Sequence, residues 1–206
     1  MGKPVCYIVG AGEKGALSFS VRPEDLVIAA DGGYAWLTDA GICQDLIIGD
    51  FDSLGTVPAG ANVITLPAVK DVTDTWAAVE QGLQRGYARF VLYGCTGGRF
   101  DHTMANLQTA AWLAEKGMEC QIIGKGQIVT AVSPGMELSF GEAAAGFVSV
   151  FSHTDTCEGV TIRGLKYELE AATLTNRFPL GVSNEFTGRQ ASISVTSGIA
   201  LVVYDI

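Results

Sequence analysis

The segment GDFDS, residues 49–53, sets Asp50 and Asp52 two positions apart directly after the apolar run Leu46-Ile47-Ile48. On an extended chain alternate side chains share a face, so both carboxylates point one way and Phe51 points the other. Like charges held side by side repel, and a turn needs only one Asp or Gly. The pattern therefore calls for a cation. DVTD, residues 71–74, adds Asp71 and Asp74 at the start of a helical pattern in which Thr73 or Asp71 is the cap. DGGY, residues 31–34, reads on its own as a strand-to-helix turn with Asp31 as its cap. The most informative stretch is GCTGGRFDHTMAN, residues 94–106, where a strand end and a glycine-rich turn with Arg99 lead to a helix opened by Asp101 and His102. Free N–H groups at a helix start attract anions, and a planar guanidinium suits phosphate. His102 and Asn106, four apart, share a helical face.

Asp50, Asp52, Asp71, Asp74 and Asp101 all fall near the carboxyl ends of successive apolar runs, where a doubly wound sheet gathers its ligand site. Magnesium supplies the missing positive charge and takes carboxylate and phosphate oxygens as ligands. It commonly uses only one or two protein carboxylates, so the remaining aspartates bind substrate, act as base or hold a second ion. The chemistry this predicts is Mg²⁺ bridging to a polyphosphate. A rival reading comes from GAGEKG, residues 10–15, which fits G-x-G-x-x-G after the first strand, with Asp31 where a ribose-binding acid would stand. That would make the chain an NAD-binding oxidoreductase. With 26 glycines among 206 residues, a three-glycine pattern is easily met, and no Walker sequence is present.

The elements that must position these residues change character along the chain. Short apolar runs at 5–9, 26–30, 45–48, 62–66 and 89–94 read as strands, and helical spacing covers 73–86 and 101–116, followed by a strand at ECQIIG. Strands alternating with helices predict a doubly wound, Rossmann-like parallel sheet in an α/β domain over residues 1–125. After Gly126 period-two segments take over, as in ASISVTSGIALVVYDI, where Ala191, Ile193 and Val195 share one face and Ser197-Gly198 forms a turn. Residues 126–206 are therefore expected to form an all-β domain, an antiparallel β-sandwich. A composition of 48% hydrophobic and 17% charged residues is that of a globular chain. Five scattered cysteines without a CxxC pair suit reduced thiols in a cytoplasm. A net charge of −9 argues against a nucleic-acid partner. No apolar stretch approaches the roughly 18 residues of a membrane span, and the apolar run at the N-terminus is too short for a signal peptide.

With these residues in hand, the chain resembles the thiamine pyrophosphokinases over nearly its whole length. The family's DGG, GDFDS, D-x-T-D and GGRxDH motifs appear in order as residues 31–33, 49–53, 71–74 and 97–102, with Asn106 following. Its GLKY and SN stretches appear as Gly164-Leu165-Lys166-Tyr167 and Ser183-Asn184. The resemblance implies transfer of a pyrophosphoryl group from ATP to the hydroxyl of thiamine, giving thiamine diphosphate and AMP. It also implies a homodimer with sites shared between subunits. By the same resemblance Asp31, Gly32, Gly33, Gly97, Gly98, Arg99, His102 and Asn106 bind ATP, with Arg99 also holding transition-state charge. Asp50, Asp52 and Asp71 hold Mg²⁺. Asp74 or Asp101 orients the attacking hydroxyl, and Asp74, Tyr167, Ser183 and Asn184 meet thiamine, with Tyr167 stacking on the cationic rings. A pyrophosphokinase of another alcohol, such as a hydroxymethylpterin, is the nearest alternative, and the GLKY and SN stretches speak against it.

Because Asp50 and Asp52 share one ion in this reading, Asp52→Asn should abolish most activity while leaving the fold intact. Losing one charged ligand from such a site typically removes several kcal/mol of transition-state stabilisation. Turnover near that of the wild type at saturating Mg²⁺, measured beside an unchanged thermal melt, would remove Asp52 from the metal.

Overall fold

A computed structural model of the chain describes residues 2–51, 62–67 and 71–206. Asp52 and Ser53 lie outside the described residues. The chain divides into two compact units, Met1–Asn106 with Ile122–Lys125, and Leu107–Gln121 with Gly126–Ile206.

The apolar runs of the first unit become β1 (Cys6–Val9), β2 (Leu26–Ala30), β3 (Leu46–Gly49), β4 (Val63–Thr65) and β5 (Arg89–Tyr93), each within a residue or so of its expected bounds. They pair in parallel in the order β5-β1-β2-β3-β4. β2 is buried along its whole length, as befits a strand inside a parallel sheet. Helix α1 (Gly33–Asp39) follows β2, and α2 (Asp74–Gln84) precedes β5. Thr73 is the cap of α2, its Oγ1 accepting from the Trp76 N–H at 3.1 Å, and Asp74 sits in the first turn, where the helix dipole favours a carboxylate. Asp31 does not cap α1: the cap position is Gly32, with no side-chain hydrogen bond. Helix α3 (Phe100–Glu115) and β6 (Glu119–Ile123) each carry residues of both units.

The dinucleotide reading of GAGEKG would require a helix after β1. From Ala11 to Asp25 the chain forms neither helix nor strand. Instead Leu17 and Phe19 pack onto the apolar cluster around Val9, Val27 and Tyr93, and Phe19 stacks on Tyr7 with ring centroids 4.1 Å apart. Aromatic contacts thus cover the sheet in this stretch, and GAGEKG opens no helix.

The second unit has strands only after α3 and β6: β7 (Gln127–Val132), β8 (Glu137–Phe140), β9 (Phe147–Ser152), β10 (Thr156–Arg163), β11 (Leu169–Thr175), β12 (Gly181–Glu185), β13 (Ala191–Ser194) and β14 (Ala200–Asp205). They pair antiparallel in two sets, β12-β9-β14-β7 and β11-β10-β13-β8. One core draws on both sets, with Val148, Val150 and Val202 from the first and Cys157, Ile162 and Ile193 from the second. The expected alternation holds: Ala191, Ile193 and Val195 are buried, and Gly198 takes the turn with φ +78°. All five cysteines are free, four of them buried. Among the described residues no helix is long and apolar enough to cross a membrane.

Asp25 ties the start of β2 to the start of β1. Its buried carboxylate accepts from the N–H of Val5 and of Arg22 at 2.9 Å each, and from Arg22 Nη2 at 2.7 Å and Nε at 3.1 Å. The Arg22 guanidinium, helped by the two backbone N–H groups and opposed by burial, holds this carboxyl down at about 2 rather than its ordinary 3.8. Because the folded-state value is the lower one, the stabilisation is complete above the ordinary value and is lost as pH falls from there towards 2. Asp25→Asn should therefore cost about 2–3 kcal/mol at pH 7 by urea denaturation, since Val5 and Arg22 lose their charged acceptor. The gap to the wild type should shrink below pH 4; a gap unchanged at pH 2.5 would show that the carboxylate charge is not its source.

Candidate active site

In the first unit the strand order reverses at β1: β2, β3 and β4 extend from one side of it and β5 lies on the other. Such a switch point leaves a crevice beyond the carboxyl ends of the two central strands. A cleft of about 620 Å³ lies there, lined by Ala11, Gly12 and Glu13 after β1, Asp31 after β2, Thr75 of α2, and Gly94, Cys95, Gly97, Gly98, Arg99, His102 and Asn106 after β5.

The two loops that form its floor continue the parallel pairing beyond the strands. Gly10 N donates to Tyr93 O at 2.8 Å, Gly12 N to Gly94 O at 2.7 Å, and Glu13 N to Thr96 O at 2.8 Å. A Cβ on Gly12 would stand 2.6 Å from Gly94 O and 2.7 Å from Thr96 O, both of them backbone atoms. A side chain there would push the loops apart. The third glycine of the motif is different, because a Cβ on Gly15 would meet nothing within 4 Å. Gly33 answers to a second close approach, since its Cβ would fall 1.8 Å from Val9 O. Gly32 and Gly33 thus stand behind Asp31 and do not line the cleft.

Arg99 and Asp101, both exposed, pair with each other. Arg99 Nη2 lies 2.5 Å from Asp101 Oδ2, and Nε lies 3.2 Å from Oδ1. The guanidinium, seconded by the His102 N–H, holds the Asp101 carboxyl below the usual carboxylate range. His102 and Asn106 both line the cleft, as their spacing requires. Asn106 is buried, and its Nδ2 donates to Cys95 O at 2.7 Å, which fixes the glycine-rich turn to α3. The Cys95 thiol is pushed up to about 12 by burial, so it stays protonated and is no nucleophile.

Five aspartates are expected to converge at these strand ends. Asp101 is turned to Arg99, Asp71 is exposed, and Asp52 lies outside the described residues. Among the described residues no group of three or more His, Cys, Asp or Glu side chains could hold a metal ion. Asp31 and Asp50 are nonetheless close along the sheet. They follow the ends of the neighbouring strands β2 and β3, and a Cβ on the intervening Gly49 would reach 3.1 Å from Asp31 Cα. An all-oxygen set of one or two carboxylates fits magnesium, which fills its octahedron with water and phosphate oxygens. At the end of this described stretch Phe51 adopts φ +58° and buries its ring in the core.

In the second unit Tyr167 is 61% exposed, with Lys166 Nζ 5.5 Å from its ring centre and 2.6 Å from Glu185 Oε1. Ser183 is exposed and Asn184 is buried, so the SN pair faces opposite ways. Glu13, Thr75 and Cys95 are cleft residues that sequence reasoning passed over. Glu13 lies inside the GAGEKG motif, which supported only the rival dinucleotide reading.

The geometry predicts that Gly12→Ala raises the KM for ATP at least about tenfold, because no flexible side chain can yield to the new methyl group. Gly15→Ala should match the wild type. Equal effects of the two would mean that the motif acts as a dinucleotide fingerprint after all.

Comparison with known proteins gives the family of the chain. Residues 20–122 match the family model described as thiamin pyrophosphokinase, catalytic domain, and residues 137–200 match thiamin pyrophosphokinase, vitamin B1 binding domain. A thiamine pyrophosphokinase of Bacillus subtilis is 27% identical over 184 residues, 86% of each chain. The crystal structure of a Bacillus subtilis thiamine pyrophosphokinase superposes with a TM-score of 0.86 at 26% identity, covering 98% of both chains. That of a Geobacillus thermodenitrificans thiamin pyrophosphokinase gives 0.83 at 25% identity, covering 98% of this chain and 97% of that one. The chain belongs to the thiamin pyrophosphokinase family.

Proposed function

We propose that the cleft at the β1–β5 switch point binds ATP and that Tyr167 in the second unit binds thiamine. The reaction is the family's: the pyrophosphoryl group of ATP passes to the hydroxyl of thiamine, giving thiamine diphosphate and AMP. The observation that carries the ATP assignment is the cleft lining, where Asp31, Gly97, Gly98, Arg99, His102 and Asn106 meet at one place. The match of residues 137–200 to a vitamin B1 binding domain favours thiamine over a pterin alcohol. The NAD reading loses its support, because GAGEKG opens no helix on which a pyrophosphate could sit.

In this reading the thiamine oxygen attacks the β-phosphorus in line, the new O–P bond forms as the bond to the α-phosphate oxygen breaks, and AMP leaves. Asp50, Asp52 and Asp71 would hold Mg²⁺, which would supply positive charge to the polyphosphate. Arg99 turns its fork to the equatorial phosphate oxygens. Asp74 or Asp101 orients the attacking hydroxyl.

We further propose the functional division at residues 125 and 126, with a doubly wound Rossmann-like domain before it and a β-sandwich after it. The two family models fall on either side of that boundary. A homodimer with shared sites fits the apolar side chains exposed on β9, on the edge strand β12 and on the segment leading into it, Phe147, Phe151, Phe178, Leu180 and Val182. A cytoplasmic setting fits the free cysteines.

The decisive experiment supplies ATP, Mg²⁺ and thiamine and identifies the nucleotide product. AMP in equal amount to thiamine diphosphate is expected, whereas ADP would mean transfer of a single phosphoryl group. In the same assay Arg99→Lys, which keeps the charge and loses the fork, should lower kcat about tenfold or more and leave the thiamine KM unchanged. A change confined to the thiamine KM would assign Arg99 to the wrong ligand.

A further inference from the structure

The SN stretch reads as two ligands for thiamine, yet the structure gives its two residues different work. β12 pairs with β9 at Gly181↔Val150 and again at Asn184↔Val148, so Val182 and Ser183 together oppose Ser149 alone. That is a β-bulge, and it reverses the alternation beyond it. Ser183 takes the left-handed φ of +59°, with its N–H donating to Ser149 Oγ at 3.1 Å. Asn184 is thereby turned inward and is 5% exposed.

The inward amide grips the backbone of one residue. Asn184 Oδ1 accepts from the Tyr167 N–H at 3.0 Å, and Nδ2 donates to Tyr167 O at 2.7 Å. The same Oδ1 also accepts from the Glu185 N–H at 2.9 Å. Further bonds fasten the flanks of the segment. Lys166 N donates to Glu185 O at 3.0 Å, Thr187 Oγ1 to Gly164 O at 2.8 Å, and Gly164 N to Glu168 Oε1 at 2.8 Å. The Tyr167 ring is left exposed at the end of a segment whose main chain is held at both its polar atoms.

We infer that Asn184 is a positioning residue that sets the Tyr167 ring for thiamine by clamping the Tyr167 backbone, and that its side chain does not itself touch thiamine. The inference rests on the reading of Tyr167 as the residue that stacks on thiamine. A stacking ring contributes only where its plane is already set, because an unordered ring loses part of the contact to conformational freedom. A neutral amide with both its ends engaged by main chain provides such a setting in a buried place where an unpaired group would be costly.

Four proteins test this: wild type, Tyr167→Ala, Asn184→Ala and the double variant, each with its thermal melt and steady-state kinetics in both substrates. Tyr167→Ala should raise the thiamine KM by about 5–30-fold with the ATP KM unchanged. Asn184→Ala should raise the thiamine KM about fivefold or more, again sparing the ATP KM. The double variant should be no worse for thiamine than Tyr167→Ala alone, since the clamp then has no ring to set. Where Asn184→Ala melts too low to assay, Asn184→Asp keeps the acceptor and the volume and should give the same selective rise. If Tyr167→Ala leaves the thiamine KM unchanged, the stacking reading itself falls. If Tyr167→Ala raises it and the folded Asn184 variants do not, the positioning role is overturned. Multiplying effects in the double variant would overturn it too, by showing that Asn184 meets thiamine directly.

Discussion

The cleft at the β1–β5 switch point depends on two loops running in backbone contact. Gly10 and Gly12 after β1 donate their N–H groups to Tyr93 and Gly94, so the pairing of β1 with β5 outlasts the strands themselves. Carbonyl oxygens and glycine α-carbons approach so closely there that a single methyl group on Gly12 would overlap backbone on two sides. Everything on the β5 side of the cleft follows from that contact. Cys95, Gly97 and Arg99 are placed by it on one edge, and the Asn106 amide locks the same turn from α3. The order of strands makes the crevice, and the loop contact gives it a rigid floor.

Most of the first unit was legible because its signals are local. Apolar runs bounded by Gly and Asp set the strands, Thr73 and Asp74 mark the start of α2, and the alternation of Ala191, Ile193 and Val195 marks a half-buried strand in the second unit. The motif GAGEKG misled because its glycines have two possible causes. A dinucleotide turn needs them for a helix entering at the pyrophosphate, whereas here Gly10 and Gly12 answer to a neighbouring loop and Gly15 to nothing nearby. A three-letter pattern cannot separate a glycine required by a ligand from one required by adjacent backbone. The segment 13–22 gave the only hint, since Leu17 and Phe19 alternate as an extended chain does.

What stayed hidden depends on single backbone angles. Phe51 takes a left-handed φ of +58°, and its ring goes into the core for the apolar area it buries. Ser183 at φ +59° is likewise left-handed in β12 and decides which member of the SN pair faces inward. Neither residue is a glycine, and neither position carries a sequence mark of a left-handed turn. Period-two reasoning is sound until such a residue occurs, and one residue is enough to exchange the two faces of a strand. The Arg99–Asp101 pair escaped for another reason: two charged residues two apart at a helix start can each face a ligand or face each other, and spacing does not choose.

The two units solve the same mechanical problem in the same way. In each, the side chains assigned to ligand are exposed, Arg99 and His102 in one and Tyr167 in the other, and exposed side chains cannot fix their own backbone. In each, a buried asparagine supplies what is missing, Asn106 by donating to Cys95 O and Asn184 by closing on both polar atoms of Tyr167. An ion pair could make similar contacts, but at these depths it would carry a desolvation penalty, and its strength would vary with salt and pH. The amide has no charge to titrate and no counterion to recruit. On a chain of net charge −9, neutral clamps add no further negative charge beside the Arg99 guanidinium. Charge is thereby kept at the surface of the site, where substrate can use it, and the geometry behind it is held by groups that do not respond to the substrate's charge.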